Sequence, residues 1–161
     1  MKHLLALLIA LTAMNSYANN IPEVLGYQAE RVSLYVGGWS HHLTERDNGE
    51  DFNESHHMFV IEVDNYVIGT FKNSFGDQTY AVGYNYSWEY QDFEYGVLAG
   101  VSYGYKEKYM DDSKTFLNHN GWMPLVVPYV NYNLYDNGTV SIKPQLMLLG
   151  SAVAVTIRVD F

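Results

Sequence analysis

Cysteine is absent from all 161 residues, so no disulfide framework holds this chain together. Charge is scarce as well: only 17% of residues are charged, with 9 Lys and Arg against 18 Asp and Glu, for a formal net charge of -9. So acidic a chain repels phosphate backbones, which excludes nucleic acid as an expected partner. Long hydrophobic runs are missing, since no stretch approaches the roughly 20 consecutive apolar residues of a transmembrane helix, and the mean hydropathy is -0.17. Linkers, low-complexity tracts and solenoid repeats are also lacking, which leaves room for one domain. If such a chain lives in a membrane, it crosses as a closed β-barrel, the one strand architecture that satisfies every backbone polar group in lipid.

Aromatic residues, by contrast, are plentiful at 16%, including 15 Tyr, more than a small dry core needs. The N-terminus carries Lys2 and His3, an apolar run from Leu4 to Ala13 and the small-residue site Ser16-Tyr17-Ala18. This is the layout of a secretory signal over 1–18, leaving a domain over 19–161. Its removal takes away one Lys and no acid, so the remainder is more acidic still.

Period-two alternation then runs along most of the chain. From Tyr80 to Tyr90 one parity reads Tyr80, Val82, Tyr84, Tyr86, Trp88 and Tyr90, and the other Ala81, Gly83, Asn85, Ser87 and Glu89. The final segment sets Val153, Val155, Ile157, Val159 and Phe161 against Ala154, Thr156, Arg158 and Asp160. A lipid-facing exterior around a polar interior produces this pattern, and rings such as Tyr90, Tyr103 and Tyr105 suit the interfacial girdles of outer-membrane barrels. The expected fold is all-β: eight antiparallel strands near 30–41, 57–64, 66–73, 78–91, 92–106, 123–135, 139–149 and 151–161. Long loops fall at 42–56 and 107–122. The tight joins Asp64-Asn65, Gln91-Asp92 and Asp136-Asn137-Gly138 share the opposite, periplasmic end. Before the first strand, Ile21 to Arg31 reads either as a short interfacial helix or as a loop. The competing class is a secreted soluble β-domain.

An eight-stranded barrel is too narrow for an aqueous channel, so general porin function is disfavoured. Pro124 and Pro128 in the sixth strand and Pro144 in the seventh lack the N–H that a ladder needs. They mark either bulges that curve the wall or a weak seam through which a lipid chain passes sideways. Inward positions such as Gly83, Gly96, Gly100 and Ala154, mixed with Met58, Val60, Leu98, Leu125, Val127 and Met147, read either as ordinary filling or as the lining of a hydrocarbon pocket. At the outer rim the topology gathers His41 and His42 with Asn53, Glu54, Ser55, His56 and His57, then Asn73 and Ser74. A His near a Ser can activate a hydroxyl for acyl transfer. The His-His pairs beside Asp47, Glu50, Asp51 and Glu54 match no metal-ligand spacing, so no metal is expected.

Short pieces in order along the chain resemble the PagP-type lipid A palmitoyltransferases. They are Trp39 with nearby His and Leu43-Thr44, Phe52-Asn53-Glu54, Phe71-Lys72-Asn73-Ser74, Val82-Gly83-Tyr84, Leu98-Ala99-Gly100-Val101 and Pro124-Leu125-Val126-Val127-Pro128. The resemblance implies an eight-stranded outer-membrane barrel that moves an acyl chain from a phospholipid to lipid A or a similar glycolipid, without a cofactor. It implies a catalytic His at His42 or His41, with Ser74 as polar partner and Asn73 as orienter. Two departures stand out: Ser40 follows Trp39 where the family has its His, and Asn73 stands where the family has Asp. An Asn can hold an imidazole but gives imidazolium no countercharge. Strict alternation from Ser33 and Tyr35 turns His41 inward, whereas a bulge at Gly37-Gly38 turns His42 inward. The rival function is a non-catalytic surface barrel acting through the acidic loop Arg46 to Glu54 in adhesion, masking or structure. A closed barrel of this size is most simply a monomer.

Overall fold

The computed structural model describes residues 29–45, 51–106 and 118–161. The expected signal sequence 1–18, residues 21–28 of the segment before the first strand, the loop residues 46–50 and most of the loop 107–122 lie outside the described residues.

Eight long strands form the wall: β1 (Val32–His42), β2 (Ser55–Val63), β3 (Tyr66–Lys72), β4 (Gln78–Tyr90), β5 (Phe93–Tyr103), β6 (Trp122–Tyr132), β8 (Ser141–Leu149) and β9 (Ala152–Asp160), with a two-residue strand β7 (Tyr135–Asp136) beside the start of β8. Each long strand pairs antiparallel with its neighbours, β1 meets β9, and β6 meets β8, so the sheet closes on itself. The expected all-β eight-stranded barrel is therefore the observed fold, and the described residues contain no helix.

Alternation sorts the side chains as expected. Along β4 the rings of Tyr80, Tyr84, Tyr86, Trp88 and Tyr90 are exposed on the outer face while Thr79, Ala81 and Asn85 are buried. Cross-strand register lines the outward rings into two rows, Tyr80, Tyr103 and Trp122 toward the end that carries His42 and Tyr90, Phe93 and Tyr132 toward the other. At about 3.3 Å per residue, Tyr80 to Tyr90 spans about 33 Å along the strand, and a tilt near 40° reduces this to about 25 Å, the height of a barrel's apolar band. The exterior is thus an apolar belt between aromatic rows. Tyr105 does not join the girdle as expected. Gly104, at φ +134°, turns the chain inward, and Tyr105 packs edge-on to Phe75 at 6.4 Å, where burial pushes its hydroxyl pKa up to about 12.

The lumen has two storeys. The upper is apolar: Val127, Tyr129, Met147 and Ala154 form a buried cluster against which Met58, Leu98, Leu125 and Leu149 pack. The lower is ionic. Arg158, fully buried, contacts Glu94 at 2.9 Å and also Asp160. Lys143 reaches both Glu94 and Asp160 at 3.0 Å, and Arg31 meets Glu62 at 2.7 Å. Tyr129 separates the storeys, its hydroxyl donating to Asn85 Oδ1 at 2.7 Å. It lies across Gly96, where an added Cβ would overlap the Tyr129 ring and hydroxyl. Gly96→Ala should therefore destabilise the barrel by about 1–3 kcal/mol, the usual cost of overpacking. A lowered temperature for the heat-dependent gel-mobility change would register it; an unchanged one would show that Tyr129 moves freely.

Proline placement interrupts one ladder. The β5–β6 ladder runs unbroken from Phe93–Tyr132 to Tyr103–Trp122, whereas β6 meets β8 over Tyr129–Met147, Val130–Leu146 and Asn131–Gln145 alone. Pro128 stands next to this ladder on its outer side and Pro144 on its inner side. Toward the His42 end the β6–β8 ladder thus stops at Tyr129–Met147, next to Pro128, which has no N–H to continue it. A concavity of about 530 Å³ lies at the opposite end beside Arg31, Asp64, Asn65 and Tyr84, away from the rim residues.

Candidate functional site

The bulge at Gly37-Gly38 is present and decides which histidine turns inward. Both glycines have positive φ, +88° and +94°, a conformation that other residues adopt only with strain. The register of β1 slips between Val36 and Trp39 against β9, and between Gly37 and Trp39 against β2. After the slip Gly38, Ser40 and His42 face the lumen while Trp39 and His41 face outward. Trp39, 57% exposed, is left on the outer face, and His42 lies beyond it at the rim, above the apolar belt.

Two loop ends meet His42. Its Nε2 lies 2.8 Å from Ser74 Oγ, where β3 has just ended, and its ring stacks on Phe52 with centroids 4.0 Å apart and planes 13° from parallel. Phe52 in turn tilts against Phe75. His42 Nδ1 is buried with no hydrogen-bond partner among the described residues. Burial lowers the pKa of this imidazole from the ordinary 6.5; the nearby His56 lowers it further, Glu54 opposes, and His41 adds a smaller depression. His42 is therefore neutral, and able to accept a proton, over more of the pH range than a solvated histidine.

The other expected site residues are placed differently. His41 points to solvent, its Nδ1 3.2 Å from Glu54 Oε1. Asn73 is fully buried beside Ser74, but its side chain is committed to the β3–β4 turn: Oδ1 accepts from the backbone N–H of Phe75 and Asp77, and Nδ2 donates to Gly104 O. No hydrogen bond links it to His42. Asn53 braces this turn, donating through Nδ2 to the carbonyls of Ser55 and Asn73. The structure thus unites His42 with Ser74 and keeps His41 and Asn73 apart from that pair. No grouping of three or more His, Cys, Asp or Glu suited to a metal exists among the described residues.

Sequence reasoning missed Phe52 as the stacking partner of His42, although the residue stood in the quoted Phe52-Asn53-Glu54. It also missed the side-chain pairing of Ser40 with His56, whose signal is the inward parity that the glycine bulge confers.

No family model and no curated protein matches the chain. Among solved structures, a de novo designed transmembrane β-barrel superposes with a TM-score of 0.50 at 15% sequence identity, covering 84% of this chain and 97% of that one. A protein of unknown function from Clostridium acetobutylicum ATCC 824 gives a TM-score of 0.19 at 8% identity, too low for a shared fold. The designed barrel supports the fold alone.

Proposed function

We propose that this chain is an outer-membrane acyltransferase, exported by its N-terminal signal sequence, that moves an acyl chain from a phospholipid to lipid A or a similar glycolipid. The observation that carries this reading is the His42–Ser74 pair at 2.8 Å, set at the rim directly above an apolar lumen. The donor's hydrocarbon chain enters sideways where the β6–β8 ladder fails and lodges among the apolar side chains. Room for it comes from flexible residues, Met58 and Met147 among them, swinging aside. His42 takes the proton of the acceptor hydroxyl as that oxygen attacks the acyl carbonyl, and Ser74 holds the imidazole by its hydrogen bond.

Mass spectrometry of lipid A from Gram-negative cells tests the reading. Cells expressing the chain should show an added acyl mass, and cells expressing a variant with His41, His42 and Ser74 changed to Ala should not. No change in any lipid species, with the barrel folded in the outer membrane, would refute it. The base should also leave a pH signature. Its neutral form is the active one and its pKa is lowered, so activity should fall on acidification with a midpoint below 6.5. Glu54→Gln removes a carboxylate that holds the pKa up and should move this midpoint further toward acid.

The surface-barrel reading is favoured by one observation: Asn73, at the position of the carboxylate in the family this chain resembles, serves the turn, and His42 Nδ1 has no hydrogen-bond partner among the described residues. In that case the acidic outer loop is the working part, and deleting it abolishes partner binding while lipid A stays unaltered throughout.

A further inference from the structure

The rim holds a second serine–histidine pair that the proposed transfer leaves unused. Ser40 Oγ lies 2.7 Å from His56 Nε2, and His56 Nδ1 lies 2.7 Å from the carbonyl oxygen of Lys72. A backbone carbonyl only accepts, so Nδ1 carries the proton of the neutral ring and Nε2 presents its lone pair. The hydrogen between the two side chains therefore belongs to the serine, which donates to the imidazole. This arrangement, with the base oriented by a third group, converts a weak hydroxyl into a nucleophile. Its origin is local. The β2–β3 ladder ends at Phe59–Thr70, and beyond it the His56 side chain bridges β2 to the Lys72 carbonyl. The His42–Ser74 pair lacks such an anchor at Nδ1.

Its position suits a lipid ester. Ser40 stands opposite Ala154 in the β1–β9 ladder, and Ala154 belongs to the apolar cluster of the upper lumen. Two residues further on, His42 faces Ser74. Ser40 thus occupies the junction of apolar lumen and polar rim, the level that an ester carbonyl reaches when its hydrocarbon chain fills the lumen. Ser40 is 8% exposed and His56 6%, so bulk water has little access to an ester formed there.

We propose that Ser40 is a covalent acyl acceptor, activated by His56, that carries the acyl chain between donor and acceptor. This deepens the acyl-transfer reading and rests on it for the identity of the donor. Ser40 Oγ attacks the ester carbonyl carbon of the phospholipid and its proton passes to His56 Nε2. The carbon–oxygen bond to glycerol breaks and the leaving oxygen takes that proton, which leaves an acyl ester on Ser40. The acceptor hydroxyl then attacks this ester, giving up its proton to a rim imidazole, and the proton returns to Ser40 Oγ as the new ester departs.

The test is to refold the chain in non-ionic detergent and incubate it with p-nitrophenyl palmitate in the absence of glycolipid. Acid quenching and peptide mass spectrometry then read the product. A palmitoyl adduct is expected on the peptide containing Ser40, absent from Ser40→Ala and formed about 10²-fold or more slowly in His56→Gln, with folding checked by heat-dependent gel mobility. If Ser40→Ala fails to fold, Ser40→Cys keeps a nucleophile of nearly the same size and should yield a thioester that hydroxylamine cleaves. An adduct on Ser74, or none at all, overturns the proposal. Lipid A acylation without the adduct leaves the transfer reading standing and removes Ser40 from it. The adduct without lipid A acylation establishes the covalent step and removes the transfer.

Discussion

His42→Ala should lower the rate of acyl transfer by about 10²–10⁴-fold, the usual contribution of a positioned general base, while leaving the barrel folded. The histidine stands at the rim, where its removal costs one hydrogen bond to Ser74 and one ring stack on Phe52. Neither contact joins the strands of the belt. His41→Ala removes only a solvent-facing pairing with Glu54 and should leave the rate little changed. Exposed pairs of this kind contribute little to stability either. Lipid A product measured in parallel for the two variants decides the matter. A larger loss in His41→Ala would mean that the outward histidine is the base and that the bulge at Gly37-Gly38 serves only to curve the wall.

Arg158→Met should destabilise the folded barrel by about 3–5 kcal/mol, because it breaks a buried ionic network by removing one partner. The Arg158 side chain is fully buried, bonds Glu94, Asp160 and Ser33, and lies over the Tyr35 ring at 5.4 Å. Without it Glu94 and Asp160 share the one cation Lys143, beside the neutral donors Tyr129 and Ser141, and Glu62 keeps Arg31 together with the neutral donors Tyr35 and Asn85. An unpaired carboxylate in such surroundings has to be resolvated or neutralised, and both cost free energy. Urea titration of barrels refolded in lipid vesicles measures the change. The double variant Arg158→Met with Glu94→Gln should recover part of the loss by removing one of the stranded charges. A single variant as stable as the parent would show that water already fills the lower storey.

These two sites differ in how much of them the sequence disclosed. Shared parity for Arg158 and Asp160, two residues apart on β9, followed from alternation, but the meeting of Arg158 with Glu94 did not, since they lie 64 residues apart in sequence on strands brought together only by closure. The seam shows the same limit. Three prolines announced missing donors, and only the register showed pairing confined to Tyr129–Asn131 against Gln145–Met147. At the rim, the choice between His41 and His42 turned on a backbone irregularity that a Gly-Gly pair permits but does not compel. Asn73 was an orienter only by resemblance, since it stands at the position of the family's Asp, while in space its amide closes the β3–β4 turn.

What the sequence determined by itself was the fold class and the sidedness of nearly every strand. Strand geometry has a period of two, and an apolar exterior between rings has few other uses, so composition and alternation sufficed. What only the tertiary structure decided was which polar side chains meet: His42 with Ser74, Ser40 with His56, Arg158 with Glu94. Those contacts depend on register, bulges and closure, which arise from pairing between distant strands, and a one-residue slip reverses every side chain it passes.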